Sequence, residues 1–390
     1  MRDDALILFR GFCGAEEGDP LPLITLAERY GLSGNLYQAY LAHALLCHEN
    51  LWSLSCEGRE EPESTLSELA ERDMERILGL FRADPFAAVP ELQNYRPAAA
   101  PTEAARIIQT LRGELSASRG AGEARRVLAA AYRKWGVGLF ALRRAFRVSE
   151  KGEPESVDSA AEPLSALVGY EEQKRKLRAN TEAFLAGGRA NNVLLYGDAG
   201  TGKSTCVRSL LAEYPESLLR IVELPKDRLC LLPRIAGMLG KRRCRFLLFL
   251  DDLSFEENET SYKQLKAAIE GGLAALPENV RIYATSNRRH LVRETWRDRG
   301  DMEHDGDIHR SDTVEEKLSL SARFGLRVYF PNPTFEEYHA IVRELAKRSG
   351  ADADDEALRR SASAWQVRGG SRSGRAAKQF VDDYCGGAAL

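Results

Sequence analysis

Eight consecutive residues near the middle of the chain have the types and spacing that bind phosphate. From Gly197 to Ser204 the sequence is G-x-x-x-x-G-K-S, in which glycines let backbone N–H groups turn toward phosphate oxygens. Lys203 is expected to reach the β- and γ-phosphates of a nucleoside triphosphate, and the Ser204 hydroxyl is expected to ligate Mg²⁺. The residues predicted to contact the nucleotide here are Gly197, Asp198, Ala199, Gly200, Thr201, Gly202, Lys203, Ser204 and Thr205.

The segments on either side of this loop are of the kind that would hold it in place. Residues 192–196 are a short apolar run that predicts a buried parallel strand, and residues 205–211 predict a helix. The positive end of that helix would point at the same phosphates. A glycine-rich turn without this role could have the same spacing, but the strand and the helix favour phosphate binding.

Two adjacent carboxylates follow another apolar run. Residues 246–250 predict a central strand, and Asp251 and Asp252 come directly after it. Beside a phosphate-binding loop, one such carboxylate can hold the Mg²⁺ shell while its neighbour orients the attacking water. The run is a weak signal by itself and a strong one downstream of the loop. The sequence therefore predicts an Mg²⁺ site at Ser204 and Asp251, with Asp252 positioning water.

The bulk composition limits the class of protein. A length of 390 residues is sufficient for two or three domains, and a net charge of −3 gives no general attraction to nucleic acid or to an anionic membrane. The seven cysteines are scattered and contain no C-x-x-C, which is typical of reduced thiols. No uninterrupted apolar run of 18 residues occurs. The expected location is the cytoplasm, without membrane association.

The N-terminal third, residues 1–148, has no catalytic signature and predicts a mostly helical domain. Thr65 and Glu68 have the spacing of a capping box, ahead of apolar residues that share one helix face. Between residues 119 and 147, basic side chains alternate with aromatic ones. This composition fits a surface for single-stranded nucleic acid, or an amphipathic helix pair with buried aromatic and solvated basic residues, and we favour the helix pair. The aromatic residues are Tyr132, Trp135, Phe140 and Phe146.

Further strands are expected at residues 218–224, 280–287 and 326–330, and their alternation with helices predicts a parallel sheet. Together, these motifs resemble those of the AAA+ ATPases over roughly residues 165–385. The matching positions beyond the loop and the acidic pair are Val168, Gly169, Asn287, Arg323 and Arg375. More narrowly, segments 251–256, 285–290 and 316–321 are similar to a bacterial AAA+ family catalogued only as a domain of unknown function.

The resemblance implies an α/β fold, namely a P-loop NTPase parallel sheet with a C-terminal helical lid, preceded by the helical N-terminal domain. The predicted boundaries are 1–148 for the N-terminal domain, 149–163 for a polar linker, 164–331 for the nucleotide-binding core and 332–390 for the lid. The first lid helix is expected to begin at a capping box made by Thr334 and Glu337.

The resemblance also implies an ATP hydrolase that couples MgATP to the remodelling or loading of a macromolecular partner, with nucleic acid as one candidate. Val168 and Gly169 would contact the nucleotide, which is ATP or ADP. Asn287 would sense the γ-phosphate, Arg375 would report it to the lid, and Arg323 would act on a neighbouring subunit's ATP in a ring or open spiral of identical chains. The alternative is a slow nucleotide-dependent switch or loader that acts on nucleic acid or a protein complex.

Two departures from the wider class bear on that choice, and an acidic insertion is a separate feature. Asp252 stands where glutamate is usual, so hydrolysis is expected to be slow or to be assisted by Glu256. Residues 223–228 lack the aromatic residue of a threading loop. Together with the basic residues that follow, the region fits either the initiator and helicase-loader branch or a solvated rim, with neither favoured; those residues are Lys241, Arg242, Arg243 and Arg245. Residues 296–316 are acidic and contain histidine, and a solvated loop is favoured over a cation site there.

Overall fold

The computed structural model describes residues 6–10, 19–58, 64–159, 161–255, 261–270, 276–287, 320–351, 354–369 and 372–386. The chain divides into two compact units, of which the first is Met1–Arg144 with Arg242–Cys244 and the second is Ala145–Lys241 with Arg245–Leu390. The expectations for Glu256 and for the insertion 296–316 lie outside the described residues.

The described part of the first unit is mostly helical, as predicted, and its apolar helix faces share one core. The predicted face on residues 65–82 is confirmed, because Ala70, Met74, Ile77 and Phe81 are all buried there. The helices are Leu21–Tyr30 (α1), Leu36–Cys47 (α2), Leu51–Gly58 (α3), Thr65–Arg82 (α4), Pro90–Gln93 (α5), Glu103–Ala117 (α6), Ala121–Trp135 (α7) and Leu139–Leu142 (α8).

The predicted capping box at the start of α4 is wrong. Ser64, not Thr65, is the residue before the helix. Its backbone is extended, and its side chain makes no capping hydrogen bond. The backbone N–H of Glu68 bonds the Ser64 carbonyl at 3.2 Å, which closes the first helical turn. Thr65 is already helical, so its hydroxyl is not in the position from which a capping residue reaches the third helical N–H.

The aromatic residues of the basic stretch divide between two kinds of structure. Tyr132 and Phe140 are buried in the first unit, and the Tyr132 hydroxyl donates to the Leu45 carbonyl at 2.9 Å. A base cannot stack on rings buried in this way, so these two residues favour the helical interpretation. For Phe146 that interpretation is wrong, because residues 145–148 form a strand in which Phe146 faces inward.

The second unit is built on a seven-stranded sheet in the order β2-β1-β4-β5-β6-β3-β7. All neighbouring strands are parallel except β1 and β2, which are antiparallel. The five strands predicted from sequence are confirmed, and β1 and β2 are additional. The strands are Ala145–Val148 (β1), Pro154–Ser156 (β2), Val193–Gly197 (β3), Leu219–Glu223 (β4), Arg245–Leu250 (β5), Val280–Ser286 (β6) and Leu326–Phe330 (β7).

The strands β1 and β2 lie where the sequence predicted the end of one domain and a linker. Ala145 pairs with Ile221 and Arg147 with Glu223, so β1 extends the parallel sheet beyond β4. Burial alternates along β1, with Phe146 and Val148 inward and Arg147 exposed. The compact second unit therefore begins at Ala145, and part of the polar segment 149–163 is a strand because it completes a hairpin with β1.

Helices cover the sheet, and three of them follow its last strand. The α13 helix begins with the predicted capping box, in which Thr334 and Glu337 exchange side-chain and backbone bonds. Tyr338, Val342 and Phe380 contribute to a separate small core of the last three helices. The predicted fold class is confirmed. The helices are Glu171–Leu185 (α9), Lys203–Glu213 (α10), Leu232–Leu239 (α11), Ser261–Glu270 (α12), Phe335–Arg348 (α13), Asp355–Gly369 (α14) and Gly374–Cys385 (α15), with 3₁₀ turns at Leu164–Ala166 and Lys226–Leu231.

Among the described residues, no helix combines the length and the apolar character needed to cross a membrane.

Candidate functional site

The glycine-rich loop connects the end of β3 to the start of α10. Two of its glycines are required because neighbouring atoms leave no space for a side chain, and because of their backbone conformation. A Cβ on Gly197 would lie 2.1 Å from the Phe330 carbonyl oxygen, and a Cβ on Gly202 would lie 2.9 Å from a Leu167 methyl carbon. Gly202 also has a φ of 87°, in the left-handed region, directly before the helix. The loop conformation therefore depends on these glycines.

The side chain of Lys203 folds back over the loop and is only 6% exposed. Its Nζ donates to the carbonyl oxygens of Gly197 and Asp198, at 3.0 and 2.6 Å. Burial lowers the pKa of Lys203, and the nearby carboxylates of Asp198, Asp252 and Asp251 act in the opposite direction. An ammonium group has three N–H donors, and within the described part of the chain the third has no acceptor. The buried charge is therefore available to an anion.

The start of α10 adds backbone donors next to Lys203. The first helical bond there runs from the Cys206 N–H to the Gly202 carbonyl at 2.9 Å. The N–H groups of the three preceding residues have no carbonyl one turn earlier, and the helix dipole places partial positive charge at this end. Loop, lysine and helix terminus together form an anion-binding site.

Asp251 follows β5 and is bound by side chains on both of its oxygens. Ser204 and Thr285 donate their hydroxyls to Oδ1 at 2.5 and 2.7 Å. Arg208 donates to Oδ2 at 2.9 Å. The predicted ligand pair for Mg²⁺, Ser204 and Asp251, is thus brought together, with hydroxyl and carboxylate oxygens of the kind that Mg²⁺ prefers. No group of three or more His, Cys, Asp or Glu that could hold a metal ion by itself occurs among the residues the structure describes.

Asp252 has a backbone conformation that few residues other than glycine adopt, with φ at 51°. Thr285 holds it there, because its hydroxyl accepts the Asp252 N–H at 2.9 Å and its carbonyl accepts the Leu253 N–H at 2.7 Å. The Asp252 carboxylate accepts a hydrogen bond of 2.6 Å from the Asn287 amide. The proposed water-positioning residue and the proposed phosphate sensor are therefore in direct contact.

These groups line a cavity of about 1260 Å³ in the second unit. Ala199 to Thr205, Asp251, Asp252 and Asn287 line it at the ends of β3, β5 and β6. Val168 and Arg375 also line it, from the segment before α9 and from α15. Gly169, Gly197 and Asp198 do not, although the last two accept from Lys203. Arg323 is exposed and lies outside the lining.

The C-terminal helices contact the phosphate loop directly. The backbone N–H of Arg375, at the start of α15, donates to the Gly200 carbonyl at 3.2 Å. The Asp198 carboxylate accepts the N–H of Asn332, which precedes α13, at 3.0 Å. A change in the conformation of the phosphate loop would therefore alter contacts with the residues before α13 and at the start of α15.

Sequence reasoning missed four residues that complete this site: Thr285, Arg208, Glu223 and Arg147. Arg147 Nε lies 3.4 Å from Glu223 Oε1, and Arg208 bridges Glu223 Oε2 at 3.9 Å and Asp251 Oδ2 at 2.9 Å. A signal was present for Arg208, which follows Ser204 by four residues on α10 and so shares its helix face. The contacts of Glu223 and Arg147 depend on strand order, which spacing alone does not give.

Three basic residues of the region from the end of β4 to the start of β5 have partners within the second unit. Lys226 lies over the Phe255 ring at 5.5 Å, and Arg245 lies over the Phe184 ring at 5.4 Å. Arg228 donates to the Val148 carbonyl at 2.6 Å. Contacts of this kind are what the solvated-rim interpretation expects of these three residues.

Comparison with known proteins gives a family and a set of similar folds. A model of the family described as “Protein of unknown function (DUF815)” matches residues 141–388. No curated protein matches the chain. Among solved structures, the RuvB Holliday junction branch migration motor of Thermotoga maritima is 19% identical with a TM-score of 0.39, over 57% of this chain and 63% of that chain. The FIGL-1 AAA domain in complex with ADP is 19% identical with a TM-score of 0.39, over 60% of this chain and 75% of that one. This chain thus spans less than two thirds of RuvB.

Proposed function

The chain belongs to the family described as “Protein of unknown function (DUF815)”, and from this premise we propose that it is an ATP hydrolase of the AAA+ type. The observation that carries the proposal is one arrangement at one end of the cavity. A buried lysine with an unused donor lies at a helix N-terminus, beside a hydroxyl–carboxylate pair and a second carboxylate. Phosphate, Mg²⁺ and an attacking water are the three groups that these features fit.

The residues present fit MgATP in charge, donor type and space. The anion-binding end offers Lys203 and the α10 N-terminus, and the adjacent pair of Ser204 and Asp251 offers oxygen ligands to a divalent cation. The cavity of about 1260 Å³ exceeds the range of about 300–1,000 Å³ that is usual for small-molecule sites. Val168, before α9, would contribute apolar contact to the nucleotide away from the phosphates.

Bound Mg²⁺ would neutralise charge that develops on the phosphoryl oxygens. Lys203 would orient the β- and γ-phosphates, and Asp252 would accept hydrogen bonds from a water aligned for attack. Asn287 would divide its amide between Asp252 and the γ-phosphate, so that the presence of that phosphate changes how Asp252 is held. Thr285 fixes the backbone from which both aspartates extend.

We further propose that identical chains assemble and that Arg323 completes the site of a neighbour. The side chain is exposed and outside the lining of its own chain's cavity, as a residue that acts across an interface would be. An arginine in this role stabilises transition-state charge. Arg375, which contacts the loop through its backbone, would pass the state of the γ-phosphate to the C-terminal helices.

The work coupled to hydrolysis is proposed to be the remodelling or loading of a macromolecular partner in the cytoplasm. The six cysteines of the described residues are free thiols, which suits a reducing compartment. A slow switch is the second candidate, and one observation favours it. The side chain of Asp252 is one methylene shorter than that of glutamate, so its carboxylate would reach less far toward an attacking water. That carboxylate also already accepts a hydrogen bond of 2.6 Å from Asn287.

Steady-state ATP turnover of purified chain tests the proposal, with and without single-stranded DNA. Asp252→Asn should bind ATP normally and turn it over about 10²–10⁴-fold more slowly, since it loses the carboxylate that orients water. Asp227→Asn is the matched control, because Asp227 is 75% exposed and does not line the cavity. Parental turnover by the Asp252 variant would overturn its assigned role. Slow turnover that DNA does not accelerate would favour the switch, and acceleration by DNA would favour a nucleic-acid partner.

A further inference from the structure

Four charged side chains of alternating sign run from Asp251 to β1, the strand next to the edge of the sheet. Arg147 on β1 faces Glu223 at the end of β4, and the two residues are paired in the parallel register. Glu223 is 3.9 Å from Arg208, and Arg208 is 2.9 Å from Asp251. The same NH2 atom of Arg208 makes both contacts, so one guanidinium nitrogen lies between two carboxylates.

The contact between Arg208 and Asp251 occupies an oxygen that a divalent cation would also attract. Ser204 and Thr285 donate to Oδ1 of Asp251, and among the residues that the structure describes Arg208 alone donates to Oδ2. A guanidinium and Mg²⁺ on the same carboxylate repel each other as like charges do. Binding of the metal ion therefore weakens the contact with Arg208.

The surroundings of Arg208 provide a second position for its charge. Its side chain is 47% exposed, and its guanidinium carbon lies 5.6 Å from the centre of the Phe249 ring on β5. Glu223 is already within 3.9 Å of it. A small shift of the guanidinium toward Glu223 would shorten that distance.

We propose that Arg208 occupies Asp251 in place of the divalent cation and moves to Glu223 when the cation binds. Arg208 is thus a competitor of the metal ion, and Glu223 is its acceptor. The affinity of the site for the cation is set by the difference between the two ion pairs. Arg147 holds Glu223 in place from β1, so the position of Arg208 links the metal site to the edge strands. This proposal rests on the proposed function, because it needs a metal ion at Ser204 and Asp251.

The test measures Mn²⁺ binding by calorimetry in protein saturated with ADP, without turnover. Arg208→Gln removes the competitor and should tighten Mn²⁺ binding about two- to fivefold, the range of a partly exposed ion pair. Glu223→Gln removes the acceptor and should weaken Mn²⁺ binding to a similar degree. Arg208→Lys keeps the cation and should remain near the parental affinity.

The double variant separates this proposal from a general field effect. Removing one positive and one negative charge near a metal site shifts its affinity in opposite directions by Coulomb's law alone. Those shifts would cancel in Arg208→Gln/Glu223→Gln and return the parental value. If Glu223 acts only by accepting Arg208, the double variant instead binds Mn²⁺ as tightly as Arg208→Gln.

The controls distinguish failure of this proposal from failure of the proposed function. Arg178→Gln removes an arginine that pairs with Glu213 at 2.7 Å outside the cavity lining, and it should leave Mn²⁺ affinity unchanged. Thermal melting without metal checks that each variant folds. Absence of any ADP-dependent Mn²⁺ binding in the parental chain would overturn the proposed function itself. If the parental chain binds Mn²⁺ but the effects of the two single variants add in the double variant, only the role of Arg208 is overturned. The same holds if neither single variant changes the Mn²⁺ affinity.

Discussion

Two aspartates, one in each unit, show how differently a carboxylate can be satisfied. Asp73 on α4 is fully buried and accepts the backbone N–H groups of Ile7, Leu8 and Phe9 at 2.7–3.2 Å. Asp251 is 28% exposed, and its hydrogen-bond partners are side chains of other elements. Backbone donors cannot leave without moving the chain, whereas side chains can rotate away. The difference separates a structural charge from one that can exchange its partners.

The largest expected effect falls on Arg323, whose side chain is exposed. Arg323→Ala should lower turnover about 10³–10⁵-fold, since an arginine at the γ-phosphate stabilises transition-state charge. Mixing it with Lys203→Ala should restore part of the activity, because some interfaces then pair an intact loop with an intact arginine. The recovery is measured as turnover against total protein concentration, which must matter if the site forms between chains. No recovery where assembly is demonstrated would show that Arg323 acts elsewhere.

Asp73 should give the opposite result, with a cost to stability and none to nucleotide binding. Asp73→Asn keeps the shape of the side chain but replaces a charged acceptor of three N–H groups with a neutral one, at a cost of about 1–3 kcal/mol. Hydrogen exchange should be faster at the amides of Ile7, Leu8 and Phe9. Glu75→Gln, on an exposed position of the same helix, serves as the control. Weakened ATP binding by a folded Asp73→Asn variant would contradict the conclusion that Asp73 is structural and Asp251 belongs to the nucleotide site.

The smallest effect should come from Thr285, which serves both the fold and the site. Thr285→Val removes the hydroxyl that donates to Asp251 and accepts the Asp252 N–H. Because this hydroxyl is one of two Thr285 groups that hold the left-handed backbone of Asp252, turnover should fall about five- to tenfold, the equivalent of one hydrogen bond. Thr285→Ser retains the hydroxyl and should keep most activity. If both variants behave alike, the hydroxyl is not what positions the aspartates.

The parts of this molecule that sequence predicted are those whose information is local. The phosphate loop, its strand and its helix lie within residues 192–213, and the capping box of Thr334 and Glu337 spans four residues. Membership of a family of unknown function was also predicted correctly from short motifs and is confirmed over residues 141–388. Each of these features is readable because the residues that create it are neighbours in the chain.

What sequence did not predict depends on partners that are far apart in the chain. The strand β1 is four residues long and pairs with β4 more than seventy residues later, so its polar and aromatic composition resembled a helix end. Thr285 on β6 contacts Asp251 because β6 lies beside β5. Glu223 contacts Arg147 because the parallel register of β4 and β1 places them opposite each other. The division of the chain at Ala145 depends on the same kind of partner, because β1 pairs with β4. The roles proposed for Lys203, Asp252, Asn287, Arg323 and Arg375 remain predictions.

The central claim, that the loop around Lys203 binds ATP, is tested most directly by calorimetry with a non-hydrolysable ATP analogue and Mg²⁺. Lys203→Ala should weaken binding about tenfold to a hundredfold or abolish it, because a charge-assisted contact to phosphate is worth about 1.5–3 kcal/mol. Lys176→Ala, which removes a lysine that is 45% exposed on α9, should bind like the parental chain. Circular dichroism should show both variants folded. Equal affinity of the folded Lys203 variant and the parental chain would contradict the assignment of the site.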